Sequence, residues 1–141
     1  MRLKVVVDTS IVVKWLNQTN EKNIDIADKI LDDALKSNIE LLVPELAKYE
    51  LGNVLLKGKL LTPKEAHTSL GIVYSLPINF VIESEDTAKE TYQIAYSLGI
   101  TYYDASFLTL AKRNEAVLIT DNAKHQQKKI SGLKVIALKD Y

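Results

Sequence analysis

The chain contains no cysteine, which removes disulfides, thiolate zinc sites and cysteine nucleophiles together. It also lacks an excess of either charge, with 18 basic and 18 acidic side chains and a formal net charge of zero. A domain that grips nucleic acid broadly carries surplus positive charge. Nucleic acid is therefore met here as a transient substrate or through a local patch. Lys124, Lys128 and Lys129 beside His125 form such a patch, and they would serve equally as a solvated helix face. Long hydrophobic runs are missing as well; the longest cover a few residues, against the roughly 20 that a membrane span needs. Met1-Arg2-Leu3-Lys4 runs directly into a strand-like segment, which leaves no room for a signal peptide. The expectation is a cytoplasmic protein. What remains is ordinary for a soluble globular chain: 141 residues, 47% apolar and 26% charged. That length suits one domain over residues 1–141, burying roughly 70% of its unfolded surface.

The segment Val5-Val6-Val7 ends at Asp8-Thr9-Ser10, a run suited to a strand buried on both faces. Ser10–Leu16 is apolar enough to begin a helix with Ser10 as its cap. Asp25–Ser37 places Ala27, Ile30, Leu31, Ala34 and Leu35 at helical spacing. Ile39–Val43 reads as a strand, followed by a helix over about Pro44–Lys57 with proline in its first turn. Thr62-Pro63-Lys64-Glu65 is a capping box that starts a helix running to about Ser75. Asn79–Ile82 is a third strand, Glu85–Leu98 a helix closed by Gly99, and Tyr102–Arg113 another helix. Val117–Thr120 and Val135–Leu138 complete five strands, with Lys124–Lys129 helical between them. Strands alternating with one or two helices predict a parallel sheet covered on both faces, a three-layer α/β/α domain.

Four acids stand where this pattern expects something apolar or neutral. Asp8 ends the first strand and Asp121 follows the fourth, so both emerge at the carboxyl edge of the sheet, where such folds place their ligand chemistry. Ser10 and Thr120 lie beside them as hydroxyls able to orient a carboxylate or a water. Glu50 sits three residues after Ala47 and four before Val54, on or beside a buried stripe where even an unpaired neutral polar group costs roughly 2–7 kcal/mol. Asn53 lies one turn further on the same side. Asp104 opens its helix ahead of the apolar Ala105, Leu108 and Ala111. Taken singly, Asp8 and Asp121 read equally well as turn residues, Asp104 as a favourable charge at a helix N-terminus, and Glu50 as a partly exposed edge residue. Brought together they cannot all remain bare anions, because two carboxylates ~5 Å apart repel by about 3 kcal/mol at an effective dielectric of 20. Protons or divalent cations are needed. With imidazole available only from His67 and His125, an all-oxygen set favours magnesium or manganese over zinc, the metals of phosphate-ester chemistry.

Val7-Asp8-Thr9-Ser10 with Trp15, Pro44 followed by Glu50 and Asn53, Tyr103-Asp104-Ala105, and Leu118-Ile119-Thr120-Asp121-Asn122 resemble in order the motifs of the PIN domain. Within that family they look like VapC-type toxins of toxin–antitoxin pairs. The resemblance spans nearly the whole chain. It implies a PIN-like fold with the first strand central in a five-stranded parallel sheet. It also implies a metal-dependent ribonuclease that holds one or two Mg2+ or Mn2+ ions through Asp8, Glu50, Asp104 and Asp121. Asp8 and Asp104 would be the central ligands, Glu50 and Asp121 would complete the shell directly or through water, and Ser10, Asn53 and Thr120 would support them. A homodimer and a small antitoxin that blocks the site are implied too. Many relatives carry a further acid and an aromatic residue soon after the fourth acid, where this chain has Asn122-Ala123-Lys124-His125; the second metal position stays open.

Other readings meet specific obstacles. A haloacid-dehalogenase-type phosphatase needs a second aspartate two residues after the first, where Ser10 stands. A response-regulator receiver takes its phosphoryl group on an aspartate ending a central strand, and the nearest candidate strand ends at Glu83. A PIN-like module kept for binding protein or RNA without catalysis is the remaining alternative. Tyr92, Tyr96, Tyr102 and Tyr103 read as helix-packing residues that could alternatively stack on bases, and His67 as a surface or packing residue.

Overall fold

The computed structural model describes residues 2–122 and 130–141. Five strands form one sheet: β1 (Leu3–Val7), β2 (Ile39–Pro44), β3 (Ile78–Val81), β4 (Val117–Thr120) and β5 (Lys134–Ala137). Their order is β3-β2-β1-β4-β5, and every pairing is parallel. The central place of β1 explains its sequence. Val5, Val6 and Val7 are completely buried, as a strand flanked by neighbours and covered on both faces requires.

Among the described residues six α-helices cover the sheet: α1 (Thr9–Leu16), α2 (Ile24–Leu35), α3 (Ala47–Asn53), α4 (Pro63–Val73), α5 (Glu85–Leu98) and α6 (Tyr102–Arg113). The steps β1 to β2 and β2 to β3 move one way across the sheet, and β3 to β4 moves the other. Right-handed crossovers therefore put α1 to α4 on one face and α5 and α6 on the opposite face. The packing agrees: α1 meets α2, α3 and α4, while α6 lies on β1, β2 and β4 with α5 against it. Trp15 ties the first pair together, its indole N–H donating to the Ala27 carbonyl at 2.9 Å.

Several boundaries differ from the sequence expectation, each for a local reason. Pro44 does not open a helix; it ends β2 opposite Val81, where the chain turns away and its missing N–H costs the ladder nothing. The helix starts at Ala47 and passes into a π-helical turn over Val54–Gly58, a widening often found near functional sites. Ser10 is not the cap of α1, because Asp8, two residues earlier, takes the cap position and Ser10 lies inside the helix. The Thr62 capping box and the left-handed Gly99 (φ 63°) are both as expected. The expected helix at Lys124–Lys129 lies outside the described residues, apart from which no helix is long and apolar enough to cross a membrane.

Candidate active site at the carboxyl edge of the sheet

The sheet changes direction between β1 and β4, and ligand sites of open α/β sheets form at such a crevice, beyond the carboxyl ends of the strands. Val7 is paired with Ile119, so Asp8 and Thr120 leave the sheet side by side. The Asp8 backbone does two jobs at that point. Its N–H reaches the Ile119 carbonyl at 3.4 Å, prolonging the ladder, and its carbonyl accepts from Ile11 and Val12 N–H at 3.1 and 3.4 Å, starting α1.

The side chain does something else. A helix-capping aspartate ordinarily accepts from an N–H in the first turn, yet the Asp8 carboxylate makes no such bond. It is 3% exposed and accepts the Ser10 hydroxyl on Oδ1 and the Thr120 hydroxyl on Oδ2. Thr120 Oγ1 is itself oriented by the Asn122 N–H at 3.0 Å. The carboxylate is thus held by two hydroxyls and takes no part in capping the helix.

Glu50 belongs to the first turn of α3 and is half-buried. The Thr9 hydroxyl donates to its Oε1 at 2.6 Å, which links α3 to the first residue of α1. Asp104 lies in the first turn of α6, its N–H capped by the Thr101 hydroxyl at 3.0 Å. Helix α3 follows β2, and α6 runs back along the sheet to feed β4, so both helix starts open at the carboxyl edge. Asp8, Glu50 and Asp104 thus all occupy helix N-terminal turns, where the partial positive charge of the dipole favours an anion. Asn53 is exposed one turn beyond Glu50, and His67 is exposed on α4.

Asp121 is held by a residue whose position in an apolar run masks its importance. Lys14 interrupts the sequence Ile11-Val12-Val13-Lys14-Trp15-Leu16 on α1, and its side chain is only 2% exposed. Its ammonium reaches Asp121 Oδ2 at 3.0 Å, Glu21 Oε1 at 3.0 Å and the Lys22 carbonyl at 2.8 Å. Glu21 is shared with Lys59, whose Nζ lies 2.5 Å from Oε2 and also bonds the Thr19 carbonyl. Burial works against the charge on Lys14, but the hydrogen bonds to Asp121 and then Glu21 outweigh it and raise its pKa above the ordinary lysine value. For Glu21, burial again opposes ionisation, and the hydrogen bonds from Lys59 and Lys14 overcome it and lower its pKa. A lone lysine inside an apolar helical run was the available signal for this network. A charged group placed on a buried face needs partners.

Asp8 is therefore matched by two hydroxyls, Glu50 by a third, and Asp121 by a lysine, a source of neutralisation that protons or metal ions alone do not represent. Among the described residues no three acidic or imidazole side chains are arranged as a ready ligand set for a metal ion. The donor chemistry suits a hard cation, since carboxylates and hydroxyls are the groups magnesium and manganese prefer. Beside the same edge lies a cavity of about 250 Å3, lined by Pro44, Ile82, Glu83, Tyr102 and Tyr103 among others. Tyr103, Tyr92 and Tyr96 are 61%, 68% and 80% exposed, so they are surface aromatics and not the helix-packing residues their spacing suggested. Tyr102, half-buried, does pack, and burial together with the neighbouring Glu83 carboxylate raises its phenol pKa to about 12.

The model of the PIN domain matches residues 5–131. Among solved structures, a DNA-bound VapBC from Salmonella typhimurium superposes with a TM-score of 0.69 at 16% identity, covering 96% of this chain and 98% of that one. PAE2754 from Pyrobaculum aerophilum gives 0.66 at 24% identity, with 99% and 94% covered. VapC20 from Mycobacterium tuberculosis, a sarcin–ricin loop cleaving toxin, gives 0.67 at 11% identity, with 92% and 98% covered. At these identities the likeness is one of fold. No curated protein sequence matches the chain. The family match runs from Val5, the third residue of β1, well past Asp121 and takes in all four acids: the chain belongs to the PIN domain family.

Proposed function

We propose that this protein is a divalent-metal-dependent endoribonuclease, the toxin of a VapBC-type pair. The observation that carries the reading is the Asp8 carboxylate, buried at the β1/β4 crevice, withheld from helix capping and clamped by Ser10 and Thr120. Asp8 and Asp104 would be the central ligands of Mg2+ or Mn2+, with Glu50 and Asp121 completing the set directly or through water. Such an ion supplies Lewis-acid polarisation of a phosphoryl oxygen and acidifies a water for attack. The chain's own residues do the positioning. Ser10 and Thr120 fix the direction of Asp8, Thr9 fixes Glu50, Thr101 anchors the helix start that carries Asp104, and Asn53 lies at the rim. Hydrolysis adds water across one phosphodiester, breaking the bond from phosphorus to the leaving sugar oxygen.

Similar folds in a VapBC complex and in a sarcin–ricin loop cleaving VapC toxin support RNA as substrate and a small antitoxin as partner; a homodimer as the working form and a cytoplasmic setting belong to the same reading. A single domain over residues 1–141 fits the continuous sheet. The second reading is a PIN-like binding module without catalysis, and the observation favouring it is the lysine already seated on Asp121. A manganese-supplemented assay on single-stranded RNA separates the two. Cleavage is expected that EDTA abolishes and Asp104→Asn removes. Cleavage without metal, or surviving Asp104→Asn, would sink the mechanism, and no cleavage of any RNA tried, the cognate pair's own transcripts included, would favour the binding module.

A further inference from the structure

The Lys14 ammonium has three donors and three acceptors within 3.0 Å, on Asp121, Glu21 and the Lys22 carbonyl. Its stem is enclosed in α1 packing, and its second carboxylate partner is held from the far side by Lys59. The charge therefore has nowhere to swing, unlike a surface lysine with a flexible four-carbon stem. Asp121, with its side chain 33% exposed, is the member of the acidic set that this fixed charge engages. A divalent ion sharing Asp121 would have to lie close to an ammonium that cannot retreat, and like charges at such range repel strongly in a partly buried setting.

We infer that Lys14 is a positioning residue that pins Asp121 at the rim and stands in for a second divalent cation, so that the protein takes up one such ion per chain. The same network gives the 17–23 loop a role: Glu21 and the Lys22 carbonyl hold the ammonium in place, so this loop, and Lys59 behind it, form the outer wall of the site. This inference rests on the metal-dependent reading above, and its test separates the two.

The experiment is a calorimetric titration of the full chain with Mn2+ in the absence of RNA, so that no turnover enters the readout. The wild type should bind one ion. Lys14→Met keeps the length of the stem and removes the charge; it should release Asp121 and bring the stoichiometry to two. Adding Asp121→Asn to Lys14→Met should return it to one. Asp121→Asn alone, with Lys14 retained, should still bind one ion with an affinity within about tenfold of wild type, the lower end of what loss of an outer-shell partner costs. This last variant keeps the question answerable if Lys14→Met does not fold. Two ions in the wild type, an unchanged stoichiometry in folded Lys14→Met, or loss of binding in Asp121→Asn would each overturn the inference while leaving metal dependence standing. No Mn2+ bound by the wild type would overturn both.

Discussion

Asp8 shows how a single carboxylate can be assigned by what it declines to do. Its backbone extends the β1 ladder and accepts the first bonds of α1, and its side chain takes part in neither. Asp8→Ala should therefore leave the fold intact, and it removes a carboxylate that is 3% exposed, whose charge is costly to bury. The expected outcome is loss of Mn2+ binding and of RNA cleavage with a melting temperature equal to or above that of the wild type. Unfolding, or full activity, would show the carboxylate to be structural. Thr120→Val probes the support in a graded way. It takes away the hydroxyl between the Asn122 N–H and Asp8 Oδ2, and orienting partners of this kind are worth about 10–100-fold in metal affinity or activity. Measured Mn2+ affinity should fall by that order while circular dichroism is unchanged. Sequence alone made Asp8 with Ser10, and Thr120 with Asp121, legible as acids with a hydroxyl close by in the chain; that Thr120 turns to Asp8, 112 positions away, follows only from the pairing of β1 with β4. Lys14 was not legible as a site residue. Its partners Glu21 and Asp121 are 7 and 107 positions away, and only the chain crossing that brings the end of β4 beside α1 makes it more than an interruption in an apolar run.

The helices behave as the residues at their ends dictate, which is why most of their positions could be read ahead of the structure. Thr62 with Pro63 and Glu65, Ser84 with Thr87, and Gly99 in the left-handed region are all local devices. The start of α3 could not be read this way. Proline is equally at home ending a strand and opening a helix, and only the pairing of Pro44 with Val81 decides between them. The π-helical turn at Val54–Gly58 has no sequence signature of its own. Two caps offer a comparison at this scale. Thr62→Ala and Thr101→Ala each remove a side-chain acceptor from a first-turn N–H, and each should cost about 1 kcal/mol of stability. Only Thr101 caps the residue that carries the proposed ligand Asp104. Matched chemical denaturation of the two variants should give similar losses, with RNA cleavage reduced in Thr101→Ala and preserved in Thr62→Ala. Equal activities would mean that the start of α6 does not position Asp104.

At the scale of the whole molecule, the ion pairs around Lys14 join parts of the chain that the sheet leaves separate: α1, the loop before α2, the segment after the π-helical turn, and the end of β4. Their pH dependence follows from the directions of the shifts. Glu21 is held below its ordinary value of 4.5, so as acid is added the unfolded chain takes up the proton first. The stability Glu21 contributes is complete above that value and drains away as the pH falls through the lower, folded one. Lys14 is held above 10.5, so its contribution is complete below 10.5 and is lost as the pH rises through the folded value. Other carboxylates with lowered pKa values, Asp33 and Glu90 among them, titrate in the same acid range, so the wild-type curve alone cannot isolate this network. The difference between the wild type and Glu21→Gln can. Glutamine keeps the shape and an acceptor but not the charge, and charged hydrogen bonds of this sort are worth about 1.5–3 kcal/mol. The variant should be less stable by about 2 kcal/mol at pH 7, and the gap should close as the pH is taken below 4.5, because protonation then makes the wild type resemble it. Urea denaturation at steps from pH 7 to pH 3 reads this directly. A gap that stays constant across the range would mean that Glu21 stabilises by packing, and that the charges on Lys14 and Lys59 are held in place by something else.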